Sequence, residues 1–251
     1  MAGHSKWANI KHKKARQDAK RGKIFTKLAR EIIVAAKEGG GDPETNFRLR
    51  LAIQRAKDNN MPNENIERAI KRGTGEDNEG AKFEEVTYEG YGPGGVAVLL
   101  EILTDNRNRT ASEIRNLFSK YGGNLGESGC VSWMFKRRGM VRMEETGDKL
   151  GEDDVILMAL EVGAEDGHRE DGTYFITTMP EDLEDVKEEL QKQGFKILSS
   201  EVTKLPETVI DVKDDHVKDL LSLLEELEDH DDVQNLYSNF NIEEKYLESS
   251  V

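Results

Sequence analysis

The chain has 251 residues, with 36 Lys and Arg against 50 Asp and Glu, for a net charge of −14 and a pI near 5.0. A single cysteine, Cys130, excludes an internal disulfide framework and fits a reducing compartment. No apolar run approaches the roughly 20 residues of a membrane span, and the N-terminus lacks the apolar core of a secretory signal, so the expected location is the cytoplasm.

The opening stretch is the exception to this acidity. Residues 1–75 hold 18 Lys and Arg against 8 Asp and Glu, a net of +10, which leaves −24 for the rest. From Lys11 to Lys23, seven cations face one carboxylate, Asp18, and only Ala15 and Ala19 are candidates for burial. Such a segment cannot form a core element. Its like charges repel until an anion neutralises them, which is how a nucleic-acid-binding arm behaves. Read instead as a solvated face that only keeps the protein soluble, it would leave the segregation of charge unexplained. An organellar transit peptide is also Arg/Lys-rich and acid-poor, but this stretch runs unbroken into helices and reads as mature protein.

Phe25, Leu28, Ala29, Ile32, Ile33 and Ala36 fall at offsets 0, 3, 4, 7, 8 and 11, an amphipathic helix. Gly39-Gly40-Gly41 ends it, and Asp42-Pro43 is expected to open a second helix, capped by the carboxylate, with Leu49, Ala52, Ile53 and Ala56 inward. A third begins near Pro62-Asn63, buries Ile66, Ala69 and Ile70, and stops at Gly73. Thr74 to Lys82 has no periodicity and reads as a linker.

Beyond it the period changes. Val86 to Tyr88, the turn Gly90 to Gly95 and the run Val96 to Leu103 predict a β-hairpin. A helix follows over Thr110 to Tyr121, then strands at 131–135 and 139–143, a helix at 153–162, a strand at 173–178 and a helix at 180–193. Strands at 196–204 and 207–212, a helix at 216–227 and a strand at 233–239 close the chain. The fold class is therefore α+β in three domains: a three-helix bundle and two ferredoxin-like sandwiches, one inserted in the other. The expected boundaries are 1–75 for the basic helical domain, 82–133 with 205–247 for a discontinuous α+β domain, and 134–204 for the insert.

No constellation supports catalysis. Cys130 has no histidine near it in sequence, and no Ser-His-Asp set or paired-carboxylate site emerges from spacing. Tyr91-Gly92-Pro93-Gly94-Gly95 lacks the Lys-Ser/Thr of a phosphate-binding loop and precedes a strand, so it reads as a hairpin turn. Glu228-Asp229-His230-Asp231-Asp232 lacks regular ligand spacing and reads as a solvated acidic turn rather than a metal site; His168, among Asp166, Glu170 and Asp171, reads the same way. Asp105-Asn106-Arg107-Asn108-Arg109-Thr110 joins a strand to a helix, where it could meet an anion or simply cap the helix beside solvated arginines. The expectation is a non-enzyme without catalytic residues, metal, cofactor or small-molecule substrate.

Met1-Ala2-Gly3-His4-Ser5-Lys6-Trp7, Ile10 to Lys14 and Asp18 to Phe25 together resemble the opening of the YebC/PmpR family. Met61-Pro62, Ile66 to Gly73, Tyr88 to Gly95 and Asp105 to Thr110 extend the resemblance along essentially the whole chain. It implies a helical domain with two α+β domains, one inserted in the other. It also implies one of two roles, a DNA-binding transcriptional regulator or a ribosome-associated translational activator that binds rRNA and assists synthesis of proline-rich sequences, as described for mitochondrial relatives and some bacterial ones.

The residues point to nucleic acid, DNA or rRNA, as the partner, with no membrane. Lys11, Lys13, Lys14, Arg16, Lys20, Arg21 and Lys23 are expected to supply most of the affinity. Lys6, His12, Arg68, Lys71 and Arg72, in the same head, are further candidates. No helix-turn-helix signature or base-reading residue stands out, and spacing does not separate DNA from RNA.

Overall fold

The computed structural model describes residues 18–76, 83–144, 150–170 and 172–242. Within them one compact unit comprises the chain up to Val131 together with Val212–Leu236, and the other comprises Ser132–Asp211 together with the chain from Tyr237. The fold is α+β, a helical N-terminal part followed by sheet-containing parts.

In the first unit, α1 (Asp18–Gly39), α2 (Phe47–Asp58) and α3 (Asn63–Thr74) enclose a core of Leu28, Ile32, Ile33, Leu49, Ala52, Ala56, Ile66 and Ala69, with Phe25, Ile53 and Ile70 at its edge. These are the periodic positions that the helical pattern selects. α3 approaches α1 so closely that a Cβ on Gly73 would lie 2.5 Å from the Ile33 carbonyl oxygen.

The start of α2 departs from expectation. Asp42 and Pro43 lie in a turn, and the helix begins four residues later with Asn46 as its cap. Asn46 is buried, accepts from Leu49 N at 3.1 Å, and donates through Nδ2 to Ala35 O at 2.7 Å and Gly40 O at 2.8 Å. One amide thus caps α2 and satisfies carbonyls of α1 and the turn after it. A carboxylate cannot do both, because it has no donor.

The sheet of this unit has strand order β3-β1-β2-β9, with β1 (Glu84–Tyr91), β2 (Ala97–Thr104), β3 (Asn124–Leu125) and β9 (Val233–Ser238). α4 (Arg107–Lys120) links β2 to β3, which lie on either side of β1, a split β-α-β unit. Phe118 of α4 packs on β1 where Gly90 leaves room, since a Cβ there would sit 2.9 Å from its ring. α7 (Asp214–Asp229) buries Leu220, Leu223, Leu224 and Leu227.

The second unit runs β4 (Phe135–Glu144), α5 (Glu152–Glu161), β5 (Asp166–Glu170), β6 (Thr173–Thr178), α6 (Leu183–Lys192) and β7 (Lys196–Pro206). Its antiparallel sheet has order β5-β6-β4-β7, the ferredoxin-like arrangement. Val141, Met143, Tyr174 and Ile176 meet Val155, Val186 and Leu190 in the core. Residues 139–143 belong to the longer β4, and the strand expected at 131–135 is replaced by a 3-10 turn over Ser132–Met134 from which β4 emerges. β5, with the sequence Asp-Gly-His-Arg-Glu, escapes the hydrophobic pattern because it is a polar edge strand. Of residues 207–212 only β8 (Ile210–Asp211) is strand, paired in parallel with β10 (Phe240–Asn241).

Candidate nucleic-acid interface

Lys6, Lys11, His12, Lys13, Lys14 and Arg16 lie outside the described residues. Lys20 and Arg21 belong to the opening stretch of α1, and Lys23 is exposed on the same helix. Arg68, Lys71 and Arg72 stand on α3.

Lys23 is not a free cation. Its Nζ donates to Asp229 O at 3.2 Å and lies 3.4 Å from Asp229 Oδ2. Four and seven residues further on, Lys27 Nζ donates to Glu228 O at 2.6 Å and Arg30 Nη1 to Asp231 O at 2.6 Å. The spacing 0, 4, 7 places all three on one face of α1. That face meets the C-terminal end of α7, where helix carbonyls lack intrahelical donors and the macrodipole is negative. The sequence reading did not single out Lys27 or Arg30, although the 0, 4, 7 spacing of cations was there to find.

The turn after α7 is not a solvated acidic turn, and the correction centres on Asp232. Its side chain is 3% exposed; Oδ1 accepts from Arg30 Nη1 at 2.6 Å, and Oδ2 accepts from Thr110 Oγ1 at 2.6 Å and Arg109 Nη2 at 3.0 Å. Burial opposes ionisation of Asp232, but the bonds from Thr110 and Arg109 and the charge of Arg30 outweigh it and hold the carboxyl below its ordinary value. Its backbone is fixed too, with Leu103 N donating to Asp232 O at 2.8 Å and Asp232 N donating to His230 Nδ1 at 3.1 Å. That bond leaves Nε2 of His230 to carry the proton toward Glu113 Oε2, 2.9 Å away. Glu113, His230 and Asp232 offer ligand atoms within 4.8 Å of one another. Two guanidinium groups already sit on Asp232, however, and their charge opposes a cation there.

The strand-to-helix segment 105–110 meets this internal anion. Asn106 caps α4 by accepting from Arg109 N at 3.1 Å, while Arg109 bridges Asp105 and Asp232. Arg109, although 43% exposed, is thus held by two carboxylates.

Other cations of the helical part are also engaged. Arg48 pairs with Glu38 and Glu85, Arg55 with Glu31 at 2.8 Å, and Arg68 with Glu64 at 2.8 Å. In contrast, Lys37, Arg50, Lys57, Lys71 and Arg72 are exposed and have no carboxylate partner among the described residues. Of these five only Lys71 and Arg72 were expected, and all five are left to meet an outside anion.

Two groups that could suggest chemistry have structural surroundings. Burial, followed by the charge of Glu89, pushes the Cys130 thiol up, away from the nucleophilic thiolate. Glu89 is itself buried and accepts from Gly129 N at 2.7 Å and Val131 N at 2.8 Å. His168 stacks on Phe175 with centroids 5.2 Å apart, and burial lowers its pKa. Among the described residues no helix is long and apolar enough to cross a membrane.

Residues 5–76 match the model of the TACO1/YebC protein N-terminal domain, and residues 83–240 match that of the TACO1/YebC second and third domain. A probable transcriptional regulatory protein of Halothermothrix orenii is 61% identical over 99% of this chain and 98% of its own length. One of the same description from Natranaerobius thermophilus is 57% identical over 99% of this chain and 100% of its own. The crystal structure of a conserved hypothetical protein from Aquifex aeolicus superposes with a TM-score of 0.76 at 50% identity, covering 90% of this chain and 92% of that one.

Proposed function

The chain belongs to the TACO1/YebC family, and from that premise we propose that it is a non-enzymatic, cytoplasmic, nucleic-acid-binding regulator of gene expression, acting as a DNA-binding transcriptional regulator. The single observation that carries the reading is the division of charge: a +10 head in a chain of net −14, with exposed Lys37, Arg50, Lys57, Lys71 and Arg72 lacking carboxylate partners among the described residues. Phosphate is the anion that such a head suits, and the acidic remainder is repelled by it. The relatives described as probable transcriptional regulatory proteins favour DNA as the polymer.

In this reading Lys11, Lys13, Lys14, Arg16, Lys20 and Arg21 grip phosphates together with Lys71 and Arg72, while Lys6, His12, Lys23 and Arg68 contribute less. Residues 1–75 form the nucleic-acid-binding domain; 82–133 with 205–247, and the inserted 134–204, form two acidic domains. The gap between the two family matches, at residues 77–82, supports the first boundary.

A second reading, a ribosome-associated translational activator on rRNA, draws on Phe47 and Leu51, which are 64% and 46% exposed on a basic helix. Apolar surface beside cations suits unstacked bases better than a duplex backbone. A salt titration of binding tests what both readings share. With about five phosphates neutralised, the logarithm of affinity falls against that of salt with a slope of roughly −3.5 to −4.5. Changing Lys13, Lys14, Lys20 and Arg21 to Glu abolishes binding. A salt-independent affinity contradicts both readings.

A further inference from the structure

We propose that the outward face of α2 is a stacking platform for an unpaired base of single-stranded RNA, an inference that rests on the second reading above, in which the helical head meets rRNA. At 100° per residue, Phe47, Arg50, Leu51, Gln54 and Lys57 fall on the side of α2 opposite its buried Leu49, Ala52 and Ala56. A single exposed apolar residue is ordinary. Here Phe47 and Leu51, one turn apart, stand 64% and 46% exposed, directly opposite the core-facing stripe.

Their neighbours define the partner. The Arg50 guanidinium carbon lies over the Phe47 ring, 5.5 Å from its centre, so the cation sits on one face of a ring that is still 64% exposed. Lys57 stands two turns along, about 10 Å further down the axis. Arg50 and Lys57 have no carboxylate partner among the described residues. Gln54 donates to Asp58 Oδ1 at 2.8 Å, which occupies the one carboxylate of the helix.

A polyanion with accessible flat apolar faces complements this surface. Duplex DNA offers the charge but keeps its bases stacked inside. Single-stranded nucleic acid offers both, RNA being the polymer of the second reading, and aromatic side chains with flanking Arg or Lys are how proteins hold it. The apolar pair spans only one turn and passes into Gln54 and Lys57, too small an area for insertion into a lipid surface.

The test is fluorescence anisotropy of the full chain with three labelled probes of one sequence: single-stranded RNA, single-stranded DNA and duplex DNA, across a salt series. Wild type, Phe47→Ala, Phe47→Trp, Arg50→Gln and the Lys13/Lys14/Lys20/Arg21→Glu variant are compared, with circular dichroism confirming that each is folded. Phe47→Ala is expected to weaken single-stranded RNA binding about tenfold with an unchanged salt slope, because stacking releases no counterions. Phe47→Trp retains or strengthens binding, Arg50→Gln flattens the slope by about 0.7, and duplex binding does not respond to Phe47→Ala.

If wild type binds RNA and the four-Glu variant does not, yet Phe47→Ala binds like wild type, the stacking platform is overturned and the basic head stands. An equal loss on duplex DNA, or a preference for single-stranded DNA over RNA, also overturns it. No binding by wild type to any probe overturns the platform and the nucleic-acid reading together.

Discussion

Arg30 Nη1 lies 2.6 Å from Asp232 Oδ1 with the two side chains 18% and 3% exposed, so a cation of the basic head is spent on a buried carboxylate 202 residues away. Arg109 and Thr110 take the other oxygen. Asp232 thus ties α1, α4 and the end of α7 to one carboxylate, and its role is cohesion rather than ligand binding.

Removing the charge should therefore destabilise the first unit. Asp232→Asn leaves Arg30 facing a neutral amide in a nearly dry site, and breaking a buried pair from one side costs about 3 kcal/mol. Urea unfolding should show a lower midpoint, while the double variant Arg30→Met/Asp232→Asn should recover part of the loss. An unchanged midpoint for Asp232→Asn would show that the pair is energetically idle.

The same carboxyl makes stability depend on acid. Its folded pKa lies below the ordinary aspartate value of about 3.9, because the bonds from Thr110 and Arg109 and the charge of Arg30 outweigh burial. Its contribution is thus complete above that value and is lost as pH falls through the lower, folded value. Between pH 6 and 2.5, wild type should lose more stability than Asp232→Asn, and their difference should shrink toward the acid end. Parallel pH curves would contradict this.

Asn46 has two jobs, and two substitutions separate them. Asn46→Asp keeps the cap on Leu49 N but sets a buried carboxylate oxygen against the Ala35 and Gly40 carbonyl oxygens that accept from Nδ2, whereas Asn46→Ala loses the cap and both donated bonds without that repulsion. The cap is worth about 1 kcal/mol, each stranded buried carbonyl about 1 kcal/mol or more, and an unpaired buried charge costs more than the cap returns. The expected order of melting temperature is wild type, then Ala, then Asp. An Asp variant as stable as wild type would mean that the bonds donated by Nδ2 contribute nothing.

The cations of the head should fall into two classes. Lys27→Ala removes the donor to Glu228 O at the end of α7 and should cost about 1 kcal/mol of stability, with little change in the salt slope of nucleic-acid binding. Lys71→Ala/Arg72→Ala removes two exposed side chains without carboxylate partners and should leave the melting temperature unchanged while flattening the slope by about 1.5. The reverse pattern would misassign both sets.

Local periodicity made much of this molecule legible. The stripe from Phe25 to Ala36 and the runs at Leu49 and Ile66 found the helical core, because burial selects one face at 3.6-residue spacing. What spacing missed depended on partners distant in sequence. Asp232 looked solvated because Arg30, Arg109 and Thr110 lie more than 100 residues away, and the same distance hid the engagement of Lys23 with α7. The cap of α2 went to Asn46 over Asp42 because only an amide can both accept from Leu49 N and donate to Ala35 O. The site was less legible than the fold. Net charge located the head, but which cations are engaged is a tertiary fact, and Lys37, Arg50 and Lys57 emerged only from it. Lys6, Lys11, His12, Lys13, Lys14 and Arg16, expected to contact nucleic acid, lie outside the described residues.

The most direct test of the central claim is in-cell crosslinking of the tagged protein, with bound DNA and RNA recovered from one sample and sequenced, beside the Lys13/Lys14/Lys20/Arg21→Glu variant. The proposed function predicts enrichment at discrete promoters that disappears in the variant. Enrichment on large-subunit rRNA with no promoter signal would contradict DNA-binding regulation and make the protein a translation factor.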